Sequence, residues 1–74
     1  MLKKVVKFGD IPIGTFFAVK EDNGEHNYYF KTVEKEVHDD DDVYWVNAVR
    51  MKGSRMIGVL EGFCDDHIVY VGVI

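Results

Sequence analysis

The stretch Phe8-Gly-Asp-Ile-Pro-Ile-Gly-Thr-Phe-Phe17 decides the fold class, because it places a glycine-punctuated turn between two short apolar runs. Pro12 has no backbone N–H to donate and Gly14 is free to adopt a positive φ, so the chain is expected to turn here. Residues 3–7 before the turn and 15–20 after it alternate with a period close to two, which predicts two strands.

The rest of the chain continues this pattern. Asn23-Gly24 is the dipeptide favoured by two-residue type I′ hairpins, so the next run is predicted to return antiparallel to the second strand. Val, Ile, Tyr and Phe dominate the runs and glycines interrupt them, so at most one short helical turn is expected. The further predicted strands cover residues 27–35, 43–51, 56–63 and 68–74, with tight connections at 52–55 and 64–67.

These strands predict an all-β protein with a single domain over residues 1–74. Glycines inside strands mark bulges and corners, so five or six strands are expected to curl into a small antiparallel barrel with a strongly bent sheet. A chain this short buries only about 60% of the surface that its unfolded form exposes, which favours a binding surface over an enclosed active site.

The last predicted strand is apolar on both faces. Val69, Val71 and Val73 are expected to point one way, whereas Ile68, Tyr70 and Ile74 point the other. A loop lid or a partner chain, including a second copy in a homo-oligomer, is therefore expected on the outer face.

Composition indicates the cellular compartment in which the protein is expected. The lone Cys64 excludes an internal disulfide and is expected as a small buried hydrophobe in a reducing compartment. Only two adjacent apolar residues precede Lys7, far short of a signal-peptide core, and no run approaches the ~18 apolar residues of a membrane span. The expectation is a cytoplasmic protein without membrane contact.

Negative charge is concentrated in Glu34–Asp42, which holds six acids and one lysine, a net charge of −5 against −4 for the whole chain. Four consecutive aspartates repel one another, so an exposed acidic loop is predicted at about residues 36–42. Three roles are open for it: a solvated loop that protects a sheet edge, a lure for a basic protein surface, or a site for Ca²⁺ or Mg²⁺. The run lacks the spacing of a calcium loop, so no metal site is predicted.

Two other groups of residues have side chains that could support metal binding, catalysis or base stacking. His38, Cys64 and His67 could suggest zinc or a Cys–His nucleophile, but there is no CxxC pair and no orienting third group. Exposed aromatics could stack single-stranded bases, but the basic residues are scattered between acids and the pI is about 5.2, so nucleic acid is disfavoured against a protein interface. The aromatics concerned are Tyr28, Tyr29, Phe30, Tyr44 and Trp45.

A resemblance covers nearly the whole chain. It is carried by Phe8-x-Asp10-Ile-x-x-Gly14-x-x-Phe17, Tyr29-x-Lys31-Thr32, Asn47-Ala-Val49 and Phe63-x-Asp65-Asp66-x-x-Val69. In these motifs the chain resembles small proteins of tailed bacteriophages. The resemblance implies a compact barrel of the Src-homology-3 type and a phage origin, and it brings no catalytic residue.

Together these observations predict a non-enzymatic, phage-type protein-binding module without a cofactor, which inhibits or redirects a host protein that has a basic surface, such as a nucleic-acid-handling or defence enzyme. The alternatives are a single-stranded nucleic-acid-binding barrel and a structural or self-assembling phage protein. The predicted contact residues are Glu36, Asp39, Asp40, Asp41, Asp42, Tyr44, Trp45 and Tyr29.

Overall fold

The computed structural model describes residues 4–52 and 57–72. It confirms an all-β fold, with six strands joined into one antiparallel sheet. One turn of 3₁₀ helix, Phe8–Asp10, is the only helical segment within the described ranges. The strands are β1 (Lys4–Lys7), β2 (Phe16–Lys20), β3 (His26–Asp39), β4 (Asp42–Lys52), β5 (Leu60–Glu61) and β6 (Ile68–Val71).

The sheet is open. Its strand order is β1-β6-β2-β3-β4-β5, so β1 and β5 lie at opposite edges and do not pair with each other in the described part of the chain. The expected closure into a barrel is therefore not observed. The shortness of β5 contributes to the open edge, because a strand of two residues offers few backbone hydrogen bonds for pairing with β1.

The turn predicted at Pro12 and Gly14 is confirmed, since the Thr15 N–H donates to the Pro12 carbonyl at 3.3 Å and Gly14 has a φ of 92°. The 3₁₀ segment before it bonds to the turn that precedes β6. The Phe8 N–H donates to the carbonyl of His67 at 2.8 Å, and the Gly9 N–H donates to the carbonyl of Asp65 at 2.9 Å. A Cβ at Gly9 would lie 2.8 Å from the Asp65 Cβ, so only glycine permits this approach. The predicted turn at 64–67 is confirmed by a bond from the His67 N–H to the Cys64 carbonyl.

The β2–β3 hairpin confirms the predicted antiparallel pairing, with Phe17 opposite Tyr29. The connection is longer than the expected two-residue turn. The Glu21 N–H donates to the Glu25 carbonyl, and the Gly24 N–H donates to the Glu21 carbonyl. Gly24 has a φ of 87°, so its positive φ closes a three-residue loop instead of a type I′ turn.

The core lies on one face of the curled sheet. The Phe63 ring contacts three aromatic core rings, with centroid distances of 5.0 to 5.4 Å. Val69 is buried and Val71 packs against the core, whereas Ile68 is exposed, which confirms the opposite faces predicted for the last strand. The buried cluster is Phe8, Ile11, Phe17, Tyr29, Ala48 and Val69.

Two predicted boundaries were wrong. The fifth strand was expected over 56–63 but β5 spans Leu60–Glu61. Residues 53–55 of the predicted connection, residue 56 of the predicted strand and residues 73–74 of the last predicted strand lie outside the described ranges. The acidic loop predicted at about 36–42 is an ordered hairpin end, because β3 continues to Asp39 and β4 begins at Asp42. Cross-strand hydrogen bonding thus outweighs the poor strand propensity of aspartate. No helix in the described residues has the length and apolar character to cross a membrane.

Candidate functional site

The two longest strands extend beyond the rest of the sheet as a two-stranded ribbon. β2 pairs with β3 no further than Phe30, and β5 pairs with β4 only at Ala48 and Val49. From the Lys35–Val46 pair to the Asp39–Asp42 pair, β3 and β4 pair only with each other among the described strands. We call residues 35–46 the arm. At the base of the arm, Gly62 covers the β4 edge, since a Cβ there would clash with the Trp45 carbonyl oxygen, and Val46 is buried. Nearer the tip, no described strand pairs with either edge of the ribbon.

A shift in strand register marks the base of the arm. Lys31 lies opposite Ala48 and Lys35 lies opposite Val46, so three β3 residues face the single β4 residue Asn47. Extra residues on one strand bend the ribbon and increase its twist. The Asn47 side chain connects the base of the arm to the backbone of Phe63. Its Oδ1 accepts a hydrogen bond from the Phe63 N–H at 2.8 Å, and its Nδ2 donates one to the Phe63 carbonyl at 2.9 Å.

The tip of the arm concentrates the negative charge. Asp39 and Asp42 lie directly opposite each other, and Asp40 and Asp41 form the turn between them. All four side chains are exposed. Asp40 has a φ of 52°, a left-handed conformation that aspartate tolerates better than most residues. Like charges opposite each other disfavour the hairpin, so a cation or basic surface at the tip would relieve this repulsion.

The exposed aromatics predicted to bind a partner belong to the same arm. Trp45 lies opposite Glu36 and is 54% exposed, and Tyr44 lies opposite Val37 and is 46% exposed. Adjacent strand residues point to opposite faces, so each face of the arm carries one aromatic ring. On the Trp45 face, Glu36 Oε1 and His38 Nε2 lie 2.7 Å apart.

Seven of the eight predicted contact residues are therefore brought together, and Tyr29 is not. Its ring is 2% exposed and stacks on Phe17 at a centroid distance of 5.4 Å. Its hydroxyl is within 3.2 Å of Arg50 Nη2, a donor, and so accepts a hydrogen bond inside the protein. Tyr29 lies at an inward-facing position of β3, so its assignment to the binding surface was wrong.

Tyr29 instead belongs to a buried polar cluster that sequence reasoning missed. Arg50 is 4% exposed, and its Nη2 lies 2.6 Å from Glu61 Oε1. Burial, with a contribution from Glu61, raises the pKa of Tyr29, while Arg50 acts in the opposite direction. Burial alone would lower the pKa of Arg50, but its contacts with Tyr29 and Glu61 raise it. The sequence signal for this cluster is the charged Arg50 within the predominantly apolar run 46–51, where a buried charge needs a partner.

A shallow cleft of about 430 Å³ opens beside this cluster. Cys64 lines it and is exposed, so the expectation of a buried Cys64 was wrong. His67 also lines the cleft, with its ring 5.2 Å from that of Phe63, whereas His38 lies on the arm. Within residues 4–52 and 57–72, no three His, Cys, Asp or Glu side chains form a group able to hold a metal ion.

Comparison with known proteins adds no family to this picture: no protein-family model, curated protein or solved structure matches the chain.

Proposed function

We propose that this protein is a non-enzymatic binding module that uses its arm to contact a basic protein surface. The observation that carries the proposal is the composition of the arm, in which the four aspartates of the tip lie next to the exposed Tyr44 and Trp45. No other described strand lies beside the ribbon near its tip, and the side chains of the tip are exposed.

The charges and the rings contribute differently to such a contact. The aspartates attract a basic surface at long range, which raises the association rate and makes it sensitive to salt. Tyrosine and tryptophan supply large contact area with few rotatable bonds, so they retain the complex once it has formed. The directly opposed Asp39 and Asp42 favour the bound state, because basic partner groups relieve their repulsion.

The resemblance to small phage proteins supports a host protein as this partner, bound in the host cytoplasm and inhibited or redirected by the contact. A basic surface is typical of enzymes that handle nucleic acid, including defence nucleases. On the same resemblance, we propose that the open sheet is a variant of the Src-homology-3-type barrel in which the edge strands remain unpaired.

The test is capture of host proteins with matched charge variants. In the arm variant, Asp39, Asp40, Asp41 and Asp42 are changed to Asn. In the control, four exposed acids outside the arm are neutralised in the same way: Asp22, Glu25, Asp65 and Asp66. Both variants change the net charge equally, so only position distinguishes them.

A host protein retained by the wild type and the control but lost from the arm variant would support the proposal. Its association rate with the wild type should fall steeply as salt is added, and Trp45→Ala should increase its dissociation rate. Equal capture by all variants would refute a role for the arm. A single-stranded nucleic-acid binder would behave oppositely, since loss of four negative charges would strengthen its binding.

A further inference from the structure

The outer face of the sheet, which faces away from the core, carries a continuous apolar row across four strands. Leu60 pairs with Val49, Val49 pairs with Phe30, and Phe30 pairs with Phe16. Directly paired residues point to the same side of a sheet. The Phe16 and Phe30 rings lie 4.9 Å apart, and Phe16 is 57% exposed. The sequence neighbours of these residues point inward and are core or core-facing: Phe17, Tyr29, Ala48 and Glu61.

A second row runs beside the first across the other side of the sheet. Ala18 pairs with Tyr28 on β3 and with Tyr70 on β6, and Tyr70 pairs with Val5 on β1. Val5 is exposed, whereas Ala18 is fully buried between the two tyrosines. We call these two rows together the outer patch. It extends across all six strands.

The outer patch contains no carboxylate. The nearest charged residue in its register is Lys52, opposite Tyr28, with its Nζ 6.0 Å from the centre of the tyrosine ring. The acids that dominate the charge of the chain lie on the arm. An apolar surface whose charges lie only at its border can meet an identical surface in a two-fold interface, with those charges left in the polar rim. Lys20, two residues beyond Ala18 on the same face, is exposed and lies at this border as well.

From these observations we infer that the outer patch is the interface of a homodimer in which a second copy of this chain packs sheet against sheet. A single sheet that is apolar on both faces lacks one layer, and a second sheet is the common way to supply it. The core of one chain is small, with six buried side chains in its cluster among the described residues, so association would add to its stability.

The size of the patch defines the expected strength of the dimer. Each row spans four strands spaced about 4.8 Å apart, and the rows overlap only on β2 and β3, so the footprint is roughly 260 Å² per copy. This is well below the ~800 Å² per partner of a standard interface. We therefore expect a dimer that dissociates on dilution. This inference is independent of the arm.

Sedimentation of the wild type over a range of protein concentrations tests the inference. The mass should rise from the 8.5 kDa of one chain towards twice that value as concentration increases. Phe16→Lys and Leu60→Lys should each weaken association by about tenfold, because an unpaired ammonium group would be buried. Val43→Lys is the matched control on the arm, since Val43 is as exposed as Phe16.

Urea unfolding of each variant shows whether it is folded, since a folded variant unfolds cooperatively. Val5→Lys, at the other end of the patch, replaces any variant that does not fold. A mass of one chain at every concentration would overturn the inference. So would a loss of association in Val43→Lys as large as that in Phe16→Lys, since the arm would then form the contact. An independent check uses the wild type alone, in which the amide resonances of β2 and β5 should shift with concentration.

Discussion

Arg50 and Glu61 form an ion pair that joins β4 to β5, with 2.6 Å between Arg50 Nη2 and Glu61 Oε1. β5 has only two strand residues, so this contact supplements a short ladder. Arg50 Nε and Nη2 also donate to the Tyr29 hydroxyl, which connects the pair to β3. One guanidinium thus links three strands at the wall of the cleft.

Arg50→Met should lower the free energy of unfolding by about 3 kcal/mol, because it leaves the Tyr29 hydroxyl and the Glu61 carboxylate without their partner. Glu61 is partly exposed, which keeps the loss at the lower end of the range for buried pairs. Urea unfolding measures the change. Lys20→Met, an exposed strand position, should change stability by less than about 0.5 kcal/mol. Equal effects from the two variants would contradict the role given to Arg50.

The free energy of unfolding should fall in alkaline solution because of the buried Tyr29 hydroxyl. Burial and Glu61 raise its pKa, so the folded state holds the phenolic proton more tightly than the unfolded chain. This contribution is fully present below about pH 10, where the unfolded tyrosine begins to ionise, and is lost as pH rises through the raised pKa. Tyr29→Phe should flatten this part of the stability profile. Tyr44→Phe, at an exposed position, should leave it as in the wild type.

Asn47→Ala should destabilise the protein by about 1 to 3 kcal/mol, since it leaves the N–H and carbonyl of Phe63 unsatisfied at a partly buried site. Thermal unfolding provides the measurement. Asn23→Ala is the control, because Asn23 accepts one bond, from the Glu25 N–H, at an exposed loop. A smaller loss at Asn47 than at Asn23 would be inconsistent with Asn47 anchoring the base of the arm.

Asp40→Gly should stabilise the tip of the arm relative to Asp41→Gly by about 1 kcal/mol. Both variants remove one negative charge, but only residue 40 has a positive φ, which glycine adopts without steric cost. Hydrogen exchange of the arm amides measures the local effect. Indistinguishable protection in the two variants would mean that the turn does not require the left-handed conformation at residue 40.

Much of the arm could be predicted from sequence because its parts are local. The acidic residues and the pair Tyr44-Trp45 are close in the chain, so any hairpin in this region brings them together. The expected loop was wrong because the backbone hydrogen bonds that continue the β3–β4 ladder outweigh the repulsion between the aspartates. Tyr29 was misplaced because adjacent tyrosines look equivalent in sequence, and only strand pairing separates the inward one from the outward one.

The all-β class, most of the turns, the residues that share a strand face and the position of the negative charge could all be predicted from the amino-acid sequence. Those properties depend on alternation, on glycine and proline, and on neighbouring residues. Tertiary structure decided that the sheet is open, that β3 shifts by two residues against β4, and that Arg50 is buried while Cys64 is exposed. These depend on which strands pair and in which register. Alternation defines the two faces of a strand, but only its partners decide which face is buried.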